Sequence, residues 1–165
     1  MSAEERLRSI VSDGLMRAFP PYGTEKPCIS FSETTIGHLR FLLGKRGYCP
    51  WGIVLTRRQV LRKGGGTVAY IQDDQTLRKF RSAGLNHWVV RTDDSTDWTH
   101  EREWRIPWLG PRMRLHEVRA ILIPDETWRP SPQDEQQPEL WTKSPIWVWR
   151  AGTKKVGEFP PGMLV

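Results

Sequence analysis

The chain has 165 residues, a formal net charge of +6 and a hydrophobic fraction of 38%, with nine tryptophans adding large apolar side chains. That length predicts one domain able to bury about two-thirds of its unfolded surface. No apolar run approaches the ~20 residues of a membrane span, and charged residues precede any apolar stretch at the start, which excludes a secretion signal. Two cysteines, Cys28 and Cys49, cannot form a disulfide framework or a thiolate metal site, so a reduced, cytoplasmic protein is expected.

In chain order, Leu7, Ile10, Val11 and Leu15 recur at helical spacing, and Gly14 and Pro20-Pro21 mark the end of that helix. Cys28–Phe31 reads as a strand. Ile36, Leu39, Leu42 and Leu43 predict a second helix, capped by Ser32 or Thr34 and closed by Gly44 and Gly47. Trp51–Leu55 is apolar enough for a buried strand, Thr56 caps a short helix through Leu61, and Thr67–Ile71 is another strand. Leu77 and Phe80 belong to a third helix that stops at Gly84. Strands follow at Trp88–Arg91, Glu101–Ile106 and Val118–Ile123.

Residues 124–145 are rich in Pro, Gln and Glu and read as a long surface excursion. Trp128 and Trp141 inside it are either partner anchors or satellites of a core. Ile146–Arg150 and Val156–Phe159 form a closing hairpin within residues 146–165, and Trp147 and Trp149 share one face, more often core than base platform. The order of elements argues α+β: a mixed, mostly antiparallel split sheet with short helices.

Two features carry chemistry. From Thr34 to Gln72 there is no acidic residue, while Arg40, Lys45, Arg46, Arg57, Arg58, Arg62 and Lys63 are basic. Such a stretch attracts phosphate, whether of nucleic acid or a dinucleotide, unless Asp73, Asp74, Asp93, Asp94 and Asp97 balance it in space. The second is Trp98–Ile106. Read as a strand, it puts Glu101, Glu103 and Arg105 on one face and His100, Arg102, Trp104 and Ile106 on the other. Two carboxylates so placed can work on one substrate, holding a ribose and orienting a nucleophile. An ordinary polar face, with either glutamate paired to a nearby arginine, fits the same spacing.

Other motifs give less. Lys63-Gly64-Gly65-Gly66 precedes a strand rather than a helix, so it is a helix cap and turn and not a phosphate loop. The histidines are scattered and no metal is expected. No Gly-x-Ser-x-Gly elbow occurs, and neither cysteine has an adjacent base. A metal-dependent nuclease built on Glu101 and Glu103 lacks further acidic ligands. Ser30 and Ser32 put two hydroxyls on one strand face.

Taken in order, Cys28-Ile29-Ser30-Phe31-Ser32-Glu33, Trp51–Leu55, Gly64–Tyr70, Trp98 and Glu101–Arg105 resemble a family of bacterial abortive phage infection proteins of the AbiGi antitoxin type and a related family of unknown function. The resemblance covers about residues 22–123, a core of residues 1–123 being followed by the excursion and hairpin. That layout is similar in turn to ADP-ribosyltransferases, including the DNA-modifying toxin DarT. It implies an ADP-ribosyltransferase-like fold and NAD as co-substrate. Ser30, Ser32 and Arg105 would contact NAD, Glu103 would be the carboxylate on the nicotinamide ribose, and Glu101 would orient the acceptor. It also implies a role in anti-phage immunity, with nucleic acid and a cognate toxin or antitoxin as partners. The family pattern opens on a His-Phe-Thr-like strand, whereas this sequence opens on its first helix. The alternative from another class is a non-catalytic module that grips nucleic acid or protein through the basic stretch and exposed tryptophans.

Overall fold

The computed structural model describes residues 1–94, 98–132 and 134–164. Its contacts gather into two compact units, each discontinuous in sequence. One comprises residues 1–16, 35–56 and 114–165; the other comprises residues 17–34 and 57–113. Both combine short helices with small sheets, and antiparallel pairings outnumber parallel ones, so the class is α+β. Among the described residues no helix is long and apolar enough to cross a membrane.

The first unit is built on a four-stranded sheet in the order Lys155–Phe159, Ile146–Arg150, Ala120–Ile123, Gly52–Val54. The first two strands form the expected hairpin, while Ile146–Arg150 runs parallel to Ala120–Ile123. Every position of Ala120–Ile123 is buried, which is why that stretch is continuously apolar instead of alternating. Ala120, Leu122, Trp147 and Trp149 form one core cluster with Leu39 and Leu43 of the helix Ile36–Gly44. The two tryptophans are therefore core.

The helix Ala3–Asp13 starts with a complete capping box between Ser2 and Glu5. It stops at Gly14, whose φ of 65° is the left-handed conformation that glycine adopts at least cost. The second helix is capped by Thr35, whose hydroxyl accepts the His38 N–H, and not by Ser32 or Thr34. Ser32 cannot serve, because it still belongs to the strand Cys28–Ser32. The strand Gly52–Val54 is half-buried, less than its composition predicts, since it lies at the sheet's edge.

Residues 124–145 depart most from expectation. Leu140 and Trp141, on the short helix Glu139–Lys143, are buried at 7% and 1% exposure. Trp141 stands edge-on to Trp128, which in turn stands edge-on to Trp51. Arg8 lies over the Trp128 ring and donates to the carbonyls of Arg129 and Pro130. Aromatic contacts and a short buried helix anchor the described part of the segment, so its polar composition hides a core contribution.

The second unit holds a three-stranded antiparallel sheet with Glu103–Pro107 at its centre, between Cys28–Ser32 and Gly66–Thr67. The stretch expected as one strand, Thr67–Ile71, is split. Gly66–Thr67 joins this sheet, and Ala69–Ile71 pairs in parallel with Val89–Arg91. The helix Arg57–Arg62 ends at the glycine triplet, where Gly64 has a φ of 75° and the Gly65 N–H donates to the Val60 carbonyl. A methyl group on Gly65 would lie 2.6 Å from Val60 Cγ1 and 2.9 Å from the Arg105 carbonyl oxygen. The triplet is thus a helix terminus and a close-packing point against the central strand. Asp73 caps the helix Asp74–Ser82 by accepting the Gln75 and Thr76 N–H groups.

Candidate functional site

The central strand of the second unit begins at Glu103, not Glu101. Glu101 closes a 3₁₀ turn, Thr99–Glu101, in which its N–H donates to the Trp98 carbonyl. Arg102 then takes a left-handed conformation, φ 48°, before the strand starts. Period-two alternation applies only within a strand. The expectation that Glu101 shares a strand face with Glu103 and Arg105, and that Arg102 lies on the opposite face, is therefore overturned.

From Glu103 onward the register is regular. Ser32 lies directly opposite Glu103, and Ser30 directly opposite Arg105. Residues facing one another across an antiparallel pair project from the same side. The two serines, the glutamate and the arginine therefore share one face of the sheet. Both serines are exposed, Glu103 is half-buried, and Arg105 is 3% exposed.

Arg105 grips Glu103 bidentately, with Nε 2.8 Å from Oε1 and Nη2 2.9 Å from Oε2. Its Nη1 donates to the carbonyl of His87 at 2.8 Å and lies 3.4 Å from that of Val89. The guanidinium is buried yet satisfied, as a buried charge must be. The Glu103 backbone is pinned as well: its N–H donates to Tyr70 Oη at 2.8 Å and its carbonyl accepts the Val68 N–H at 2.9 Å. Burial raises the Tyr70 hydroxyl above the usual tyrosine range, so it stays protonated and keeps its own O–H to donate. Tyr70, His87 and Val89 were missed as site residues because their contacts join segments far apart in sequence.

On the sheet's other face, Glu33 accepts the Trp104 indole N–H at 3.0 Å and pairs with Arg57 and Arg102. Burial raises the Cys28 thiol, so no thiolate nucleophile forms beside the site.

His87 is 2% exposed, and its Nδ1 finds no hydrogen-bond partner among the described residues. Burial first, then the positive charges of Lys26 and Arg105, push its pKa below the usual histidine value. The unfolded chain therefore binds more protons at this position than the folded one. Stability contributed by the neutral ring is fully present above pH about 6.5 and is lost as pH falls below it, at a slope of up to about 1.4 kcal/mol per unit. Urea unfolding between pH 7 and 5 is expected to show this decline, and His87→Phe to flatten it. A wild-type curve as flat as the variant's would contradict the assignment.

Of the basic residues, Arg40, Lys45 and Arg46 are exposed on the first unit, and Arg46 lies over Phe41. Arg57, Arg58, Arg62 and Lys63 belong to the second unit, where the three arginines are exposed and Arg57 pairs with Glu33. Asp74 pairs with Arg91, whereas Asp97 lies outside the described residues. Comparison of the chain with protein-family models, curated proteins and solved structures gives no match in any of the three.

Proposed function

We propose that the Ser30–Ser32–Glu103–Arg105 face is the site of an ADP-ribosyltransferase-like, NAD-using activity of bacterial anti-phage immunity, with nucleic acid as the acceptor. One observation carries the reading: the strand register sets two exposed hydroxyls directly opposite an oriented, partly accessible carboxylate and its guanidinium. Bound NAD would supply the ribosyl group and nicotinamide the leaving group. Ser30 and Ser32 would hold the dinucleotide by hydrogen bonds from the edge strand. Glu103 has lone pairs left after serving Arg105 and would accept from a ribose hydroxyl. It would stabilise positive charge developing on the sugar, with Arg105 fixing its orientation before the reaction begins. Glu101, on the turn ahead of the strand, would orient the acceptor or take its proton. The exposed arginines of the second unit would draw in the polyanionic acceptor.

The test is nicotinamide release from NAD by the purified chain, with and without DNA, RNA and cell lysate. Glu103→Gln is expected to lower turnover at least about a hundredfold with little change in NAD affinity. Ser32→Ala, at an exposed position, should mainly weaken NAD binding. Equal losses of binding and turnover in Glu103→Gln would count against a transition-state role.

A second reading has its own support. Both Glu103 oxygens already accept from Arg105, the arrangement of a structural ion pair. A non-catalytic antitoxin or adaptor module would show oligonucleotide or protein binding that falls steeply with salt and ignores Glu103→Gln.

A further inference from the structure

Arg102 combines a strained backbone with a side chain set beside another arginine. An arginine at φ 48° incurs the left-handed cost of about 1–2 kcal/mol that glycine or asparagine would largely avoid. Its Nη2 lies 3.6 Å from Glu33 Oε2, too long for a hydrogen bond. A contact that long, with its arginine half-exposed, returns at most about 1 kcal/mol. The contact with Glu33 therefore does not explain why an arginine occupies this position.

Glu33 is also already served. Its Oε1 takes Arg57 and its Oε2 takes the Trp104 indole, and it is only 18% exposed. Arg57 and Arg102 are exposed at 70% and 45% and converge on this one carboxylate. Two guanidinium groups thus share this one carboxylate. Each fork has five N–H donors, and among the described residues Glu33 engages only an edge of either. The Glu33 N–H donates to the Arg102 carbonyl at 3.1 Å, tying the two residues together through the backbone as well.

We infer that Arg57 and Arg102 form an oxyanion-binding pair, oriented by Glu33 and taking a phosphate or pyrophosphate group. Two guanidinium groups converging on one carboxylate gather the donors that recognition of such groups requires. The left-handed backbone at Arg102 is an outlier of the kind that clusters at ligand clamps. The pair sits with Trp104 on the other face of the sheet from the proposed transferase site, so the inference goes beyond that reading and does not require turnover; NAD serves only as a dinucleotide probe.

The experiment measures binding of inorganic pyrophosphate, NAD and a short fluorescein-labelled single-stranded DNA. The proteins are wild type, Arg102→Gly, Arg57→Gln, and Arg81→Gln as an equal-charge control at an exposed position of the helix Asp74–Ser82. Glycine suits the left-handed conformation, so Arg102→Gly should keep or raise the melting temperature. Arg102→Gly and Arg57→Gln are each expected to weaken pyrophosphate binding roughly tenfold or more, and Arg81→Gln less than about twofold. A parallel loss for NAD but not DNA identifies a dinucleotide as the source of the phosphate; a loss for DNA as well identifies a nucleic-acid backbone. If Arg102→Gly and Arg81→Gln are indistinguishable for all three probes, or wild type binds none, the pair is no site. Pyrophosphate binding that depends on Arg102 in a protein inert towards NAD would leave the oxyanion site standing and remove the transferase reading.

Discussion

Replacing Arg105 by leucine is expected to lower folding stability by about 3–5 kcal/mol, the scale for removing one partner of a buried ion pair. The guanidinium is 3% exposed and holds three groups at once: the Glu103 carboxylate and the carbonyls of His87 and Val89. Leucine has no donor, so a half-buried carboxylate loses its counter-charge and the carbonyls lose a partner. Lysine should restore little, since one ammonium cannot reproduce a fork spanning a carboxylate and a strand end. Adding Glu103→Leu to Arg105→Leu should recover part of the loss by removing the stranded charge, while the carbonyls stay unpaired at about 1–3 kcal/mol. Urea unfolding followed by tryptophan fluorescence reads all four proteins. A loss below about 1 kcal/mol for Arg105→Leu would place the pair on the footing of a surface bridge and leave Glu103 without its orienting partner.

That pairing also shows what the sequence could and could not carry. Alternation along residues 103–107 needs only a period of two, so Glu103 and Arg105 were placeable on one face. Ser30 and Ser32 joined them through the resemblance, and the register puts them directly opposite. Glu101 was misplaced because the break before Glu103 lies at Arg102, an arginine in a conformation usually left to glycine. No local signal marks it: the conformation goes with a 3₁₀ turn on one side and a backbone bond from Glu33 on the other. Tyr70 and His87 stayed invisible for a related reason, since each reaches the site across a sequence gap that pattern reading does not bridge. Helix termini were easier. Ser2, Glu5 and Gly14 act within a few residues of one another, so chemistry and spacing suffice. Thr35 rather than Ser32 is the cap because the strand runs one residue further than expected, to Ser32.

Trp141→Ala should also cost about 3–5 kcal/mol, the range for truncating a large buried aromatic. The residue sits in the stretch whose Pro, Gln and Glu content reads as surface, on a helix of five residues, too short to display a helical period. Yet its ring is 1% exposed, its indole N–H donates to the Leu164 carbonyl at 3.1 Å, and it packs edge-on against Trp128 at 5.5 Å. Alanine would leave a cavity lined by aromatic carbon and would unpair a carbonyl near the end of the chain. Trp141→Phe is the milder truncation, removing the N–H and part of the indole while keeping most of the aromatic packing, so a loss smaller than alanine's is expected. A partner anchor would behave oppositely, leaving the isolated chain's stability unchanged while weakening an association. Denaturation of both variants beside wild type decides between them. A large loss for alanine and a small one for phenylalanine means that this polar-looking segment completes the core of its unit.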